Sequence, residues 1–125
     1  MGHAHHIKET VLNKESIDIS IVIPLFNEEE NAGEAYRQIR DVMATLGRPY
    51  EIIFVDDGSR DNTLSILKGI AAMDGSLRVI SFRKNFGQTA AMSAGFDYSI
   101  GKIIIPMDGD LQNDPKDIPM LIAKI

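Results

Sequence analysis

The chain has 125 residues, 44% of them apolar and 25% charged, with a net charge of −5 and no cysteine. A chain of this size carries one core, so one domain or a large part of one; the acidic balance speaks against non-specific nucleic-acid binding, and the lack of cysteine excludes disulfides and thiolate metal sites. No apolar run approaches the roughly 18 residues of a membrane span, and a cytoplasmic setting is compatible with all of this.

Residues 1–16, MGHAHHIKETVLNKES, lack the apolar centre of a signal peptide. His3, His5 and His6 offer imidazoles to a divalent ion, but the stretch reads first as a flexible tail or tag outside any site. From Ile17 onward, short apolar runs alternate with helical periodicity, the pattern of parallel strands joined by crossover helices. The expected fold class is α/β, with a Rossmann-like parallel sheet. The first run, IDISIVIPLF, suits a strand buried on both faces by its end. Asn27 is placed to cap a helix whose first turn holds Glu28, Glu29 and Glu30. Ala32, Ala35, Tyr36, Ile39, Met43 and Leu46 give that helix its apolar face, and Gly47 with Pro49 stops it.

The second strand, YEIIFV, ends in Asp56 and Asp57, and Gly58 with Ser59 supplies the turn. Asp61 is the next expected cap, with Leu64, Leu67 and Ile70 facing inward and Gly75 closing the helix. A third strand, LRVISF, precedes RKNFGQTAAMSAGFDYSIG, where Ala90, Ala91, Ala94 and Gly95 predict a helix with a thin face that approaches the sheet closely. Gly101 ends that helix, and the fourth strand, KIIIPM, leads into DGDLQNDP. Asp114 and Pro115 then suit the cap and first position of a last helix, with Ile118, Leu121, Ile122 and Ile125 periodic.

In such a sheet, ligands lodge beyond the carboxyl ends of the strands. Those ends carry Pro24 to Glu28, Asp56 to Ser59, Arg83 to Gly87, and Asp108 to Asp110. There is no GxGxxG and no GxxxxGK[ST] to cradle phosphate. Two carboxylates at about 4 Å and an effective dielectric near 20 repel by roughly 4 kcal/mol, so Asp108 and Asp110 call for a cation, a shared proton or open water. A hard divalent ion between them would reverse their repulsion of a diphosphate, and the amide oxygen of Gln112 can add to the set. Each element also has a plainer reading: acids are common in turns, Glu28 to Glu30 suit a helix dipole, and Asn85 and Gln88 suit a helix cap.

Taken together, IVIPLFNEEEN, VDDGSRDNT, RKNFGQTAAMSAG and MDGDLQNDP, in this order and spacing, resemble the nucleotide-binding half of inverting glycosyltransferases of the GT-A fold, family 2. Within that family, NFGQTAAMSAG followed by DGDLQNDP most resembles the polyprenyl-phosphate glycosyltransferases, which are similar to dolichyl-phosphate mannose synthase. The resemblance implies transfer of a sugar from a nucleotide diphosphate, a UDP- or GDP-sugar, to a lipid phosphate. By position it implies that Pro24, Leu25, Asn27 and Glu28 hold base and ribose, and that Val55, Asp56 and Asp57 recognise the base. Lys84, Asn85 and Gln88 then lie near the donor. Asp108 and Asp110 match the DxD motif, implying a catalytic role and, with Gln112, a site for Mg2+ or Mn2+.

Members of the family continue with an acceptor-side half, often with membrane helices, so residues 17–125 are expected to be the donor-binding part of a longer domain, apparently truncated. The isolated chain is then expected to bind nucleotide at best and to self-associate through its sheet edge, and the full protein to sit at the cytoplasmic face of a membrane. A haloacid-dehalogenase-type phosphohydrolase, which also uses Asp-x-Asp, is disfavoured by Gln112 and by the 15 residues left after Asp110. A receiver module would carry its acid pair after the first strand, whereas Asp56 and Asp57 follow the second. A non-catalytic nucleotide-binding module is the remaining alternative.

Overall fold

The computed structural model describes residues 17–108 and 114–124. Four parallel strands, β1 (Ile19–Leu25), β2 (Tyr50–Asp56), β3 (Leu77–Ser81) and β4 (Ile103–Pro106), form one sheet in the order β3-β2-β1-β4. Between them run helices α1 (Ala32–Leu46), α2 (Thr63–Met73) and α3 (Gln88–Tyr98). A 3-10 turn over Pro115–Asp117 leads into the short helix α4 (Ile118–Ala123). The α/β expectation holds, with each strand where an apolar run predicted one.

Alternation along the strands divides the core in two. Ile19, Ile21, Ile23 and Leu25 of β1, with Ile52 and Phe54 of β2, meet Ala32, Ala35, Ile39 and Met43 of α1, Leu67 of α2 and Ile118 of α4. On the other face Val22, Ile53 and Val55 meet Ala91 of α3. That helix lies close: a Cβ on Gly95 would fall 2.2 Å from Val22 Cγ1. The thin face is therefore Ala91 and Gly95, both buried, whereas Ala90 is exposed.

Helix boundaries depart from expectation in instructive ways. Asn27 caps nothing: α1 begins five residues later, at Ala32, and Asn27 sits at φ 53 in the left-handed region, which asparagine tolerates. Residues 28–31 form a turn instead, with the Asn31 and Ala32 N–H groups donating to the Glu28 carbonyl. Asp61 does serve the start of α2, accepting from Thr63 N at 2.9 Å, although the cap position itself is Asn62. Gly47 ends α1 at φ 65, as predicted, and Asp114 accepts from Lys116 N at 2.9 Å at the start of the 3-10 turn. Helix α2 ends at Met73 ahead of Gly75, and α3 ends at Tyr98 rather than Gly101.

Gly101 has another use. The Ser20 hydroxyl donates to Glu51 Oε2 at 2.6 Å, and Gly101 N donates to Ser20 Oγ at 2.8 Å. The Ile100 N–H reaches Glu51 Oε2 at 2.9 Å, while Arg78 pairs with Oε1 at 2.8 Å. A Cβ on Gly101 would stand 2.6 Å from Ser20 Oγ. Glu51, only 4% exposed, is thus satisfied on both oxygens and clamps the α3–β4 connection to the amino end of the sheet.

Two glycines in helices should respond oppositely to alanine. Gly95→Ala should destabilise by about 1–3 kcal/mol through forced displacement of α3, whereas Gly69→Ala, with nothing within 4 Å of its Cβ, should gain about 0.5–1 kcal/mol. Urea denaturation of both variants measures the contrast.

Candidate functional site

The carboxyl ends of the strands converge on one edge, and hydrogen bonds between the loops shape it. Behind β1, Asn27 N donates to Ser59 Oγ at 2.9 Å, and Asn27 Oδ1 accepts from Arg60 N at 2.8 Å. Glu28 N donates to Thr63 Oγ1 at 2.9 Å, and that hydroxyl donates in turn to Asp61 Oδ1 at 2.6 Å. Glu29 N reaches Asp61 Oδ2 at 3.2 Å. The loops after β1 and β2 are therefore laced into one junction, which explains why α1 starts late. Burial pushes the Asp61 carboxyl up, but the bonds from the Thr63 hydroxyl and N–H and from the Glu29 N–H outweigh it and hold it below its ordinary value.

The loops after β2 and β3 are bound just as closely. Gly58 lies at φ 72, and a Cβ there would meet the Lys84 carbonyl carbon at 2.2 Å and Asn85 N at 2.5 Å, so backbone rests on backbone. The Asp57 carboxylate, 3% exposed, accepts from Phe86 N at 2.8 Å, Asn85 Nδ2 at 2.9 Å and Gly87 N at 3.0 Å. Asp56, 2% exposed, differs: its Oδ1 is buried with no hydrogen-bond partner among the described residues. An unpaired carboxylate oxygen in that position is costly to the protein alone.

Pro24, Leu25, Phe26, Asp57 and Gln88 line a small cavity of about 70 Å³ at this edge. Gln88 Nε2 also donates to Asp108 Oδ1 at 3.2 Å, linking the start of α3 to the residue that follows β4. Pro24, Leu25, Asp56, Asp57, Gln88 and Asp108 are thus gathered at one rim. Asn27 and Glu28 stand beside it with their backbone groups committed to the loop junction. The Val55 side chain points the other way, into the core beneath α3. Lys84 places its ammonium 5.1 Å from the centre of the Phe86 ring, a cation at the outer margin. Asp110 and Gln112 lie outside the described residues, and among those described no three His, Cys, Asp or Glu side chains cluster as a metal site. The Asp57–Asn85 pairing and the Thr63 hydroxyl relay escaped the sequence reading; the hydroxyls in GSRDNT were the available signal.

Residues 20–125 match the family described as Glycosyl transferase family 2. The chain belongs to that family. It is 44% identical over 112 residues to the dodecaprenyl-phosphate galacturonate synthase of Rhizobium johnstonii, covering 89% of this chain and 33% of that protein. It is 47% identical over 107 residues to the undecaprenyl-phosphate 4-deoxy-4-formamido-L-arabinose transferase of Pseudomonas fluorescens, covering 85% of this chain and 31% of the other. The chain spans about a third of the length of these relatives. Among solved structures, TarS 1-349 of S. aureus in complex with UDP-GlcNAc aligns over 86% of this chain and 30% of its own, with a TM-score of 0.67 and 22% identity. The mannosyltransferase PcManGT from Pyrobaculum calidifontis, in complex with GDP-Man and Mn2+, aligns over 79% of this chain and 29% of its own, with a TM-score of 0.68 and 21% identity. The fold of this family 2 glycosyltransferase chain is accordingly that of the GT-A enzymes, which sets aside the phosphohydrolase and receiver readings.

The lowered Asp61 carboxyl gives the loop junction a pH dependence. Its contribution is fully present above the unfolded aspartate value, about 3.9, and is lost as the pH falls through the lower folded-state value. Asp74, where burial raises the carboxyl but bonds from Ser76 and Tyr36 outweigh it, acts in the same direction. Stability measured by urea denaturation should fall from about pH 5 toward pH 2, with a smaller fall in Asp61→Asn.

Proposed function

We propose that this chain forms the donor-binding part of an enzyme that transfers a sugar from a nucleotide diphosphate sugar to a polyprenyl phosphate. The observation that carries the reading is the buried Oδ1 of Asp56 at the carboxyl edge of the sheet, which has no hydrogen-bond partner among the described residues. A nucleotide base supplies the missing donor: uracil and guanine each present a ring N–H that a carboxylate accepts, which fits a UDP- or GDP-sugar. Asp56 stands opposite Leu25, a residue that borders the rim cavity together with Pro24. The names of the relatives support the lipid-phosphate acceptor.

Asp108, Asp110 and Gln112 are an all-oxygen donor set suited to Mg2+ or Mn2+, and the complex of PcManGT with GDP-Man and Mn2+ supports a divalent ion in this fold. When bound, such an ion neutralises charge on the diphosphate. Around it, the residues of this chain position the donor. Asp56 holds the base, the 84–88 loop flanks the diphosphate with Lys84 as a nearby cation, and Gln88 orients the Asp108 carboxylate by its hydrogen bond. An oxygen of the acceptor phosphate attacks the anomeric carbon as its bond to the diphosphate oxygen breaks, with inversion. That phosphate is already anionic, so Asp108 and Asp110 need not act as a general base. In this reading the whole protein works at the cytoplasmic face of a membrane with its acceptor site outside residues 17–125; the expected tail, residues 1–16, lies outside the described residues. No helix among the described residues is long and apolar enough to cross a membrane.

Calorimetric titration with UDP-, GDP- and dTDP-sugars plus Mn2+ tests the reading. One donor should bind, Asp56→Asn should weaken it about tenfold or more by removing a charge-assisted bond of about 1.5–3 kcal/mol, and Asp108→Ala should abolish the Mn2+ dependence. Absence of heat or protection with every donor would falsify it. Strand β4 also ends the described sheet with Ile104 41% exposed, which supports self-association of the isolated chain; a monomeric mass in light scattering would refute that.

A further inference from the structure

The two adjacent acids after β2 differ in surroundings, and the strand explains why. Successive side chains point to opposite faces. Ile52, Phe54 and Asp56 share the face covered by α1 and α2, while Ile53, Val55 and Asp57 share the face covered by α3. Asp57 therefore meets the loop that opens α3, and Asp56 cannot.

There the Asp57 carboxylate is filled from within the chain. Oδ1 takes the Phe86 N–H, and Oδ2 takes both the Asn85 side-chain amide and the Gly87 N–H. Asn85 Nδ2 lies 3.2 Å from the Asp57 carbonyl as well, which locks the amide in place. Gly87 is the residue before α3, at φ 105, and has no side chain to cap the helix. Asp57, just after β2, thus supplies the negative acceptor that the start of α3 lacks. The next residue, Gln88, is the one that donates to Asp108. No cation pairs with Asp57 among the described residues; its charge is met by neutral donors in fixed positions, as suits a structural anchor.

We propose that Asp57, although it borders the rim cavity, is a positioning residue whose carboxylate is filled from within the chain, building the 85–87 loop and the start of α3 so that Gln88 is set against Asp108, while the carboxylate oxygen offered to the donor is that of Asp56. This refines the donor-site reading given above and rests on it for the role of Asp56 and Asp108, but the function of Asp57 is visible in ligand-free protein.

The test compares Asp57→Asn with Asp56→Asn by NMR and amide hydrogen exchange without ligand. In Asp57→Asn an NH2 group replaces one acceptor and faces a donor. Exchange at Phe86 and Gly87 should rise about tenfold or more and the Gln88 side-chain amide resonance should move, while amides of β2 at Ile53 and Phe54 stay within about twofold. Asp56→Asn should leave Phe86, Gly87 and Gln88 unchanged. If Asp57→Asn does not fold, Asn85→Ala, which removes one of the three donors, should give a smaller rise at the same amides and the same shift of Gln88. In titrations with UDP- and GDP-sugars plus Mn2+, Asp57→Asn should weaken binding, yet add less than about twofold in a Gln88→Ala background because both act through one contact. Unchanged protection at Phe86 and Gly87, an unmoved Gln88 resonance, or a full independent loss in the Gln88→Ala background would overturn the proposal. If no nucleotide sugar binds the unaltered protein, the donor-site reading fails by itself, and the exchange and resonance data still decide Asp57.

Discussion

Parallel pairing of β1 with β2 sets the position of everything else at the rim. Leu25 stands opposite Asp56, and Asp56 opposite Ser81, so three neighbouring strands finish at the same level. Because these strands run the same way, their trailing loops emerge side by side and can bond to one another. A shift of one residue in this pairing would exchange the faces of β2. Asp56 would then turn toward α3 and Asp57 toward α1, and neither would find its present surroundings. The register is secured by burial on both sides of β1, whose seven residues are all buried.

The acids at this edge raise an electrostatic question that the fold answers mostly without cations. Asp57 is satisfied by three N–H donors and Asp61 by the Thr63 hydroxyl and two backbone amides, while Asp108 receives a single bond from the Gln88 amide. Neutral donors held in fixed positions substitute for water at lower reorganisation cost than mobile side chains. Among the described residues, this arrangement leaves the buried Oδ1 of Asp56 without a hydrogen-bond partner. The satisfied carboxylates of Asp57 and Asp61 hold neighbouring loops together, a role the buried Asp56 Oδ1 does not share.

Strand positions were legible because each is an apolar run between turn residues: YEIIFV followed by acids became Tyr50–Asp56, and LRVISF became Leu77–Ser81. The close approach of α3 was legible from its small residues. The start of α1 was not, because Asn27 followed by three glutamates satisfies every local rule for a cap, and only the Ser59, Arg60 and Thr63 groups across the loop junction divert it. Glu51 was invisible for a related reason. A lone acid early in a strand looks like an exposed position, and its partners Ser20, Arg78 and Ile100 lie 27 to 49 residues away. In sequence, Asp56 and Asp57 form an undivided acidic pair, since spacing alone does not say which face each one takes once the strand ends.

The contact between Gly58 and the Lys84–Asn85 backbone carries a lesson for re-engineering this scaffold. Two segments whose main chains touch with no side chain between them cannot be transplanted separately, since a foreign loop on either side brings its own curvature into a gap too narrow for a methyl group. Chimaeras that borrow substrate preference from another member should carry both segments over as a matched cassette.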